Sequence, residues 1–200
     1  MLVKLGILGG TFDPIHCAHL YVAEAARAAI ALDCVLFTPT GSYRHRSEEP
    51  GAPLAARVEM VALAIASNPA FRLEDTDLTG TGYTADLIPR LRAKYPHDEL
   101  YFIAGADSLA ASPWRRLDEV FAALDGFVVA TRPGIDAPLP PEIETHVHRL
   151  EIPPLFTSAS RIRALAREGR PIRYLVPDEV AAYVVAHRLY RAYSGAEQTR

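Results

Sequence analysis

Several features that would direct a protein out of the cytosol are scarce in this sequence. Its 200 residues include only two cysteines, Cys17 and Cys34, too few for a disulfide framework, so both are expected to be reduced thiols. No apolar run is long enough to span a bilayer, and the first residues lack the basic segment and apolar run of a signal peptide. The formal net charge of −3 argues against a general nucleic-acid binder, which is usually basic. These absences predict a soluble, cytoplasmic protein that has neither nucleic acid nor a membrane as a partner.

Apolar sequence, by contrast, is plentiful enough for one well-packed domain, since half of the residues are hydrophobic. Strand-like segments lie at residues 3–8, 35–39, 71–74, 100–104, 127–130 and 148–152. Helical patterns lie at residues 18–31, 54–67, 85–94, 114–124, 158–168 and 178–190. Their alternation predicts an α/β fold, a Rossmann-like doubly wound parallel sheet with helices on both faces and a C-terminal helical segment. We expect a single domain over residues 1–193 and a disordered tail over residues 194–200.

One of the helical patterns contains a conflict. Pro89 lies inside residues 85–94, where it would remove a backbone hydrogen bond, so this helix is expected to begin late or to bend. Thr84, immediately before the pattern, is a candidate helix cap.

The first predicted strand and helix are joined by the sequence GGTFDPIHCAH, residues 9–19. Glycines such as Gly9 and Gly10 let the backbone approach a ligand, and the free N–H groups of a helix start face an anion. His16 and His19 are three residues apart and can share one face of that helix start. The segment therefore predicts a phosphate site that carries two imidazoles. Zinc ligation with Cys17 is less well supported, because zinc normally takes at least three protein ligands and no further ligand has convincing spacing. Plain surface histidines are the other alternative.

A second candidate phosphate site is the sequence TSASRIR, residues 157–163. Its hydroxyls can cap a helix, which would by itself account for Ser158 or Ser160. The same helix N-terminus can bind an anion, with Arg163 one turn further along. An ordinary capped helix thus stays open as an alternative, and the two roles are compatible.

Four further segments carry candidate binding residues. They are the basic loop GSYRHR at residues 41–46, GYTADL at 82–87, FIAGADSL at 102–109 and RPG at 132–134. The third follows a strand at a carboxyl edge, where ligands bind in open α/β sheets. Trp114 is the only tryptophan, and it could stack on a ring or simply belong to the core.

Taken in order, these segments resemble the motifs of the nicotinate-nucleotide adenylyltransferases, members of the HxGH nucleotidyltransferase superfamily. The resemblance runs from Gly9 to about Tyr190, and each motif alone is weak whereas the ordered set is specific. The chain departs from the family pattern at Ala18, where glycine is usual, and at residues 157, 159 and 160 of the second site. In the basic loop, Arg46 replaces lysine and residues 43–44 replace two prolines.

The resemblance implies transfer of the adenylyl group of ATP to nicotinate mononucleotide, giving deamido-NAD and pyrophosphate, with Mg²⁺ accompanying ATP. It implies catalytic roles for His16, His19, Arg46, Ser158 and Arg163. ATP would be bound by these histidines, Ser158 and Arg163 together with Gly9, Gly10, Thr11, Phe12, Gly105, Asp107 and Arg132. The pyridine nucleotide would be bound by Thr11, Phe12, His45, Arg46, Tyr83, Thr84 and Trp114.

Alternatives remain from two classes. Phosphopantetheine adenylyltransferase opens with a similar turn but lacks the Gly-Tyr-Thr segment, and a non-catalytic nucleotide-binding sensor could use the same fold. Asp13 is expected to order the loop or to reach a metal through water. Preference for the acid over the amide nucleotide is not determined by the sequence, and a homo-oligomer stays open.

Overall fold

The computed structural model describes residues 2–42, 51–106, 109, 116–131, 144, 146–154 and 157–191. Within them lie six strands: β1 (Lys4–Gly10), β2 (Cys34–Pro39), β3 (Phe71–Leu73), β4 (Glu99–Gly105), β5 (Gly126–Thr131) and β6 (Val147–Glu151). They form one parallel sheet in the order β3-β2-β1-β4-β5-β6. All six predicted strands and the predicted Rossmann-like sheet are therefore confirmed. Residues 194–200 lie outside the described part, and the single-domain boundary stays a prediction.

The described residues also form α1 (Cys17–Ile30), α2 (Leu54–Ile65), α3 (Thr84–Lys94), α4 (Leu117–Ala123), α5 (Ala159–Arg167) and α6 (Asp178–Ala186). Pro89 lies inside α3, which begins at Thr84, so of the two alternatives the late start is wrong and the bend stays a prediction. The expected cap is also wrong, because Thr84 is the first helical residue and Tyr83 holds the cap position. The last helix ends at Ala186 rather than at residue 190.

Helices cover both faces of the sheet, as predicted. Residues of α1, α2, α5 and α6 form one buried cluster with strand residues such as Val35 and Val128. Residues of α3 and α4 form a second cluster with other strand residues, among them Leu5 and Leu36. Strand residues of both clusters are almost fully buried, which explains why the strands read as continuous apolar runs.

The sheet order places the topological switch point between β1 and β4. From β1 the chain proceeds outward through β2 and β3, and from β4 it proceeds outward in the opposite direction. Ligands of such sheets bind in the crevice at the carboxyl ends of the strands on either side of this point. Gly9 and Gly10 end β1, and Gly105 ends β4. The fold therefore puts these three candidate residues at the expected crevice.

Candidate functional site

The loop after β1 is held by its own side chains rather than left open. A Cβ on Gly10 would lie 3.1 Å from two atoms of the Phe12 ring, so a larger residue there would require that ring to shift by a few tenths of an ångström. Phe12 has a φ of 50°, and its ring lies 5.1 Å from the His19 ring and 5.9 Å from the Phe37 ring. Phe12 is only 2% exposed. A ligand could therefore meet its backbone but not its ring.

The two histidines at the start of α1 do share one face. Their rings stack with centroids 3.6 Å apart and planes 17° from parallel. The backbone N–H of His16 donates to Nδ1 of His19 at 3.2 Å. Because that nitrogen accepts, the proton of a neutral His19 lies on Nε2. The pair is thus pre-arranged with one defined tautomer.

Burial keeps both imidazoles neutral. It lowers the pKa of His16 to about 4, and it lowers that of His19 well below the ordinary value, with a further contribution from His16. At neutral pH the pair can offer N–H donors but does not bring full positive charges. A neutral imidazole is the form that this buried environment favours.

Stability should therefore fall as the pH drops from 6.5 toward 4. In the folded protein His16 stays largely neutral until the pH approaches its pKa of about 4, whereas in the unfolded chain it takes up a proton below about pH 6.5. Proton uptake by the unfolded state alone favours unfolding, and the loss from His16 approaches about 3 kcal/mol between pH 7 and pH 4. His19 acts in the same direction.

Urea unfolding of the wild type and of His16→Asn across this pH range checks the expectation. The variant should lose part of the pH dependence, and parallel curves for the two proteins would contradict it.

The N-terminus of α1 is less open to an anion than the sequence suggested. The backbone N–H of Cys17 donates to the carbonyl of Leu175 at 3.0 Å, and that of His19 donates to the carbonyl of His16 at 2.9 Å. Neither amide is available to a phosphate. An anion at this helix start would therefore have to be bound by the imidazoles more than by these two backbone amides.

Asp13 orders the loop, as expected. Its carboxylate is 2% exposed and accepts from the backbone N–H of Gly51 at 2.7 Å and of Ala52 at 3.1 Å. It also accepts from the phenol of Tyr190 at 2.8 Å, and Nη1 of Arg163 lies 3.6 Å from Oδ2. Both oxygens are thus occupied by protein groups, which argues against the alternative that Asp13 reaches a metal through water.

The second candidate site lies next to the first. Ser158 caps α5 by accepting from the backbone N–H of Arg161 at 3.3 Å, and its hydroxyl lies 3.1 Å from that of Ser160. Arg163, one turn further, donates from Nη1 to the carbonyl of Asp13 at 2.9 Å. The capped-helix interpretation is thus confirmed. The same contacts bring the start of α5 to the loop after β1.

Arg57 is a residue of this region that the sequence analysis missed. It lies in the first turns of α2 and is 1% exposed. Its Nη1 donates to the carbonyl of Thr11 at 2.6 Å and to that of Thr40 at 3.0 Å. An arginine in a helix whose sequence has only one other charged residue, Glu59, was the available signal. Its partners are backbone carbonyls, which no sequence pattern identifies.

The proposed pyridine-nucleotide segment lies at the start of α3. Tyr83 occupies the cap position, its N–H lies 3.4 Å from the Thr81 hydroxyl, and Thr84 opens the helix. Both side chains are partly exposed, as ligand-binding residues should be. Five other candidates lie outside the described residues: His45, Arg46, Asp107, Trp114 and Arg132.

Among the described residues, no group of three or more His, Cys, Asp or Glu side chains could hold a metal ion. In the same part of the chain, no helix is long and apolar enough to cross a membrane.

Solved structures share the fold. The nicotinic acid mononucleotide adenylyltransferase of Plasmodium falciparum complexed with NaAD has a TM-score of 0.75 and 19% identity. The match covers 94% of this chain and 97% of that one. At this identity the likeness supports the architecture alone.

Sequence relatives identify the family. The cytidylyltransferase-like family model matches residues 7–167. A nicotinate-nucleotide adenylyltransferase of Symbiobacterium thermophilum is 40% identical, with 94% of this chain and 96% of the relative aligned. A nicotinate-nucleotide adenylyltransferase of Corynebacterium kroppenstedtii is 42% identical, with 94% of this chain and 90% of the relative aligned. The resemblance noted in the sequence is therefore confirmed: the chain belongs to the cytidylyltransferase-like family and, within it, to the nicotinate-nucleotide adenylyltransferases.

Proposed function

We propose that this chain transfers the adenylyl group of ATP to nicotinate mononucleotide, giving deamido-NAD and pyrophosphate. One observation carries the proposal: Nη1 of Arg163 donates to the carbonyl of Asp13 at 2.9 Å, across 150 residues of sequence. This bond joins the start of α5 to the loop that leads into the His16–His19 pair. The two groups of side chains to which we assign phosphate binding thus lie next to each other at the carboxyl edge of the sheet.

The reaction asks for little acid–base chemistry. A phosphate oxygen of the mononucleotide attacks the α-phosphorus of ATP in line. The bond between the α-phosphorus and the oxygen that bridges the α- and β-phosphates breaks, and pyrophosphate leaves. Most of the barrier comes from orienting the two reactants and from the negative charge on the phosphoryl oxygens, which the site has to stabilise. The neutral imidazoles of His16 and His19 suit this task because they donate N–H groups without needing to exchange protons.

The other site residues extend this arrangement. Ser158 and Arg163 would hold the outer phosphates, with Arg46 joining them from the loop after β2. The backbone of the loop from Gly9 to Phe12, with Gly105, Asp107 and Arg132, would complete the ATP site. His45, Tyr83, Thr84 and Trp114 would bind the pyridine nucleotide together with Thr11, Phe12 and Arg46.

Mg²⁺ is expected to arrive with ATP. The donor set fits that mode, because the Asp13 oxygens are already taken by protein groups and magnesium commonly keeps phosphate and water ligands. The ion would supply neutralisation of the triphosphate charge. Small nucleotides are then the partners of the protein, and a cytoplasmic location follows from its substrates.

The decisive experiment supplies ATP and Mg²⁺ with nicotinate mononucleotide, nicotinamide mononucleotide or phosphopantetheine in separate reactions. Pyrophosphate and dinucleotide are both quantified. We expect rapid dinucleotide formation with the acid nucleotide and slower formation with the amide. Product formation with phosphopantetheine and with neither mononucleotide would favour a phosphopantetheine adenylyltransferase. ATP binding without pyrophosphate release in any of the reactions would favour the non-catalytic sensor.

A further inference from the structure

The segment before α3 is held by hydrogen bonds that converge on Asp86, a residue to which the proposed reaction assigns no role. Asp86 lies in the first turn of α3, and its Oδ2 accepts from the hydroxyl of Thr81. That hydroxyl in turn accepts a long hydrogen bond, 3.4 Å, from the backbone N–H of Tyr83. A hydroxyl has one proton and two lone pairs, so it can donate to the carboxylate and accept from the amide at the same time.

The carbonyl of Tyr83 is bound as well. It accepts from the backbone N–H of Asp86 at 3.0 Å and from that of Leu87 at 3.1 Å. Gly82, with a φ of 79°, turns the chain between Thr81 and Tyr83 in the left-handed region that favours glycine. Both polar backbone groups of Tyr83 are therefore restrained, one through the Thr81 hydroxyl and the other through the first turn of α3.

The other carboxylate oxygen of Asp86 is held by a different helix. Oδ1 accepts from Nη2 of Arg116, which occupies the cap position of α4. Nη1 of the same guanidinium lies 3.4 Å from Oε2 of Glu119. The Asp86 and Arg116 side chains are 35% and 47% exposed, and solvent screens an ion pair that open. The pair therefore adds little stability, but with Oδ1 engaged by Arg116 the carboxylate is oriented so that Oδ2 meets Thr81.

The surroundings of Asp86 keep it charged. The hydrogen bond from Thr81 is the largest influence and lowers the pKa of Asp86, and Arg116 and Arg90 lower it further against the effect of burial. At neutral pH the group is a carboxylate, which accepts stronger hydrogen bonds than a neutral group does. Asparagine would conserve the size of the side chain but would supply one acceptor oxygen for two donors.

We propose that Asp86 is a positioning residue that fixes the backbone of Tyr83 through the Thr81 hydroxyl and thereby sets binding of the pyridine nucleotide. This rests on the proposed function, which assigns the side chains of Tyr83 and Thr84 to that nucleotide. Both side chains are partly exposed, so core packing does not hold them in place. The hydrogen bonds of the Tyr83 backbone supply the restraint instead.

A carboxylate in the first turn also favours a helix through its charge alone, which is the alternative role for Asp86. The two roles make different demands on Thr81. Positioning needs its hydroxyl, whereas the attraction between the charge and the helix does not.

The first test therefore changes Thr81 and leaves the carboxylate in place. Thr81→Val removes the hydroxyl and should raise the KM for nicotinate mononucleotide about three- to tenfold, as the loss of one partly exposed hydrogen bond to a charged acceptor predicts. Thr81→Ser retains the hydroxyl and should keep that KM within about twofold of the wild type. The KM for ATP should change less than about twofold in both variants.

The second variant changes the carboxylate itself. Asp86→Asn should raise the same KM at least as much as Thr81→Val, since it weakens the bonds to both Thr81 and Arg116. Because Thr81→Val and Asp86→Asn disrupt the same bond, the double variant should have about the KM of Asp86→Asn alone. Asp118→Asn is the matched control, because Asp118 is an exposed carboxylate in the first turn of α4, and it should leave both KM values unchanged.

A further readout is independent of turnover. Hydrogen exchange at the Tyr83 amide should be several-fold faster in Thr81→Val and Asp86→Asn, and unchanged in Thr81→Ser and Asp118→Asn. A KM that rises in Asp86→Asn but not in Thr81→Val would assign the helix-stabilising role to the carboxylate and overturn the proposal. An equal rise of the KM values for both substrates, or unchanged Tyr83 exchange, would also overturn it. A wild type without dinucleotide formation would instead overturn the proposed function, and the exchange measurement would still decide whether Asp86 holds this segment.

Discussion

Replacing His19 by asparagine should lower kcat about 10²- to 10³-fold, the range seen when a donor to a transition-state oxyanion is removed. The amide oxygen of asparagine can take the place of Nδ1 and accept the His16 N–H. The variant loses the Nε2 donor, which is the group that would face the phosphoryl oxygens. The catalytic loss should therefore appear without a broken helix start.

Fold stability is the necessary companion measurement. The His19 ring stacks on His16 and meets the edge of Phe12, so its removal should cost about 1 kcal/mol in the free energy of unfolding. Alanine would leave the His16 N–H without its acceptor as well, which makes asparagine the sharper choice. Urea unfolding separates this small change from the effect on turnover.

His97→Asn is the matched control, because His97 is exposed and lies before β4, outside the candidate site. It should leave kcat and stability unchanged. A His19→Asn enzyme with wild-type turnover would refute the role of this imidazole in the reaction.

The sheet was predictable because its signal is local. Most of the strands are apolar runs of a few residues, and their parallel pairing follows from the helices between the runs. The end of the last helix was not predictable in the same way. Arg188 and Tyr190 have φ values of 52° and 65°, and the chain turns after Ala186 so that the Tyr190 phenol reaches Asp13, 177 residues away. That contact is tertiary and leaves no local pattern.

The same difference between local signals and tertiary contacts applies to the candidate site. The motifs identified the loop after β1 and the start of α5, and the structure places both at the carboxyl edge of the sheet. One restraint that holds them was missed, because Arg57 binds the backbone carbonyl groups of Thr11 and Thr40. Every residue has such backbone groups, so only the fold decides which of them a buried charge will meet.

Asp13→Asn should lower the free energy of unfolding by about 3–5 kcal/mol, as expected when one member of a buried set of charged hydrogen bonds is removed. The carboxylate accepts from three donors, two backbone amides and the Tyr190 phenol, and Arg163 lies beside it. Asparagine has one acceptor oxygen, so its amide hydrogens must face at least one of these donors. Asp178→Asn is the control, because that carboxylate is 64% exposed and pairs only at the surface, where such pairs contribute about 0–1 kcal/mol.

A double-mutant cycle shows whether the contact with the C-terminal segment accounts for part of this loss. Tyr190→Phe removes one phenol donor and should by itself cost about 1–3 kcal/mol, because the hydrogen bond is buried and its acceptor is charged. Since the two groups share that bond, the free energy of unfolding lost in the double variant should be smaller than the sum of the two single losses, by about 1–2 kcal/mol. Strictly additive losses, or an Asp13→Asn protein within about 1 kcal/mol of the wild type, would contradict the role of Asp13 in holding the loop. Because Arg163 is anchored on the backbone of the same residue, the KM for ATP should rise in Asp13→Asn and not in the Asp178 control.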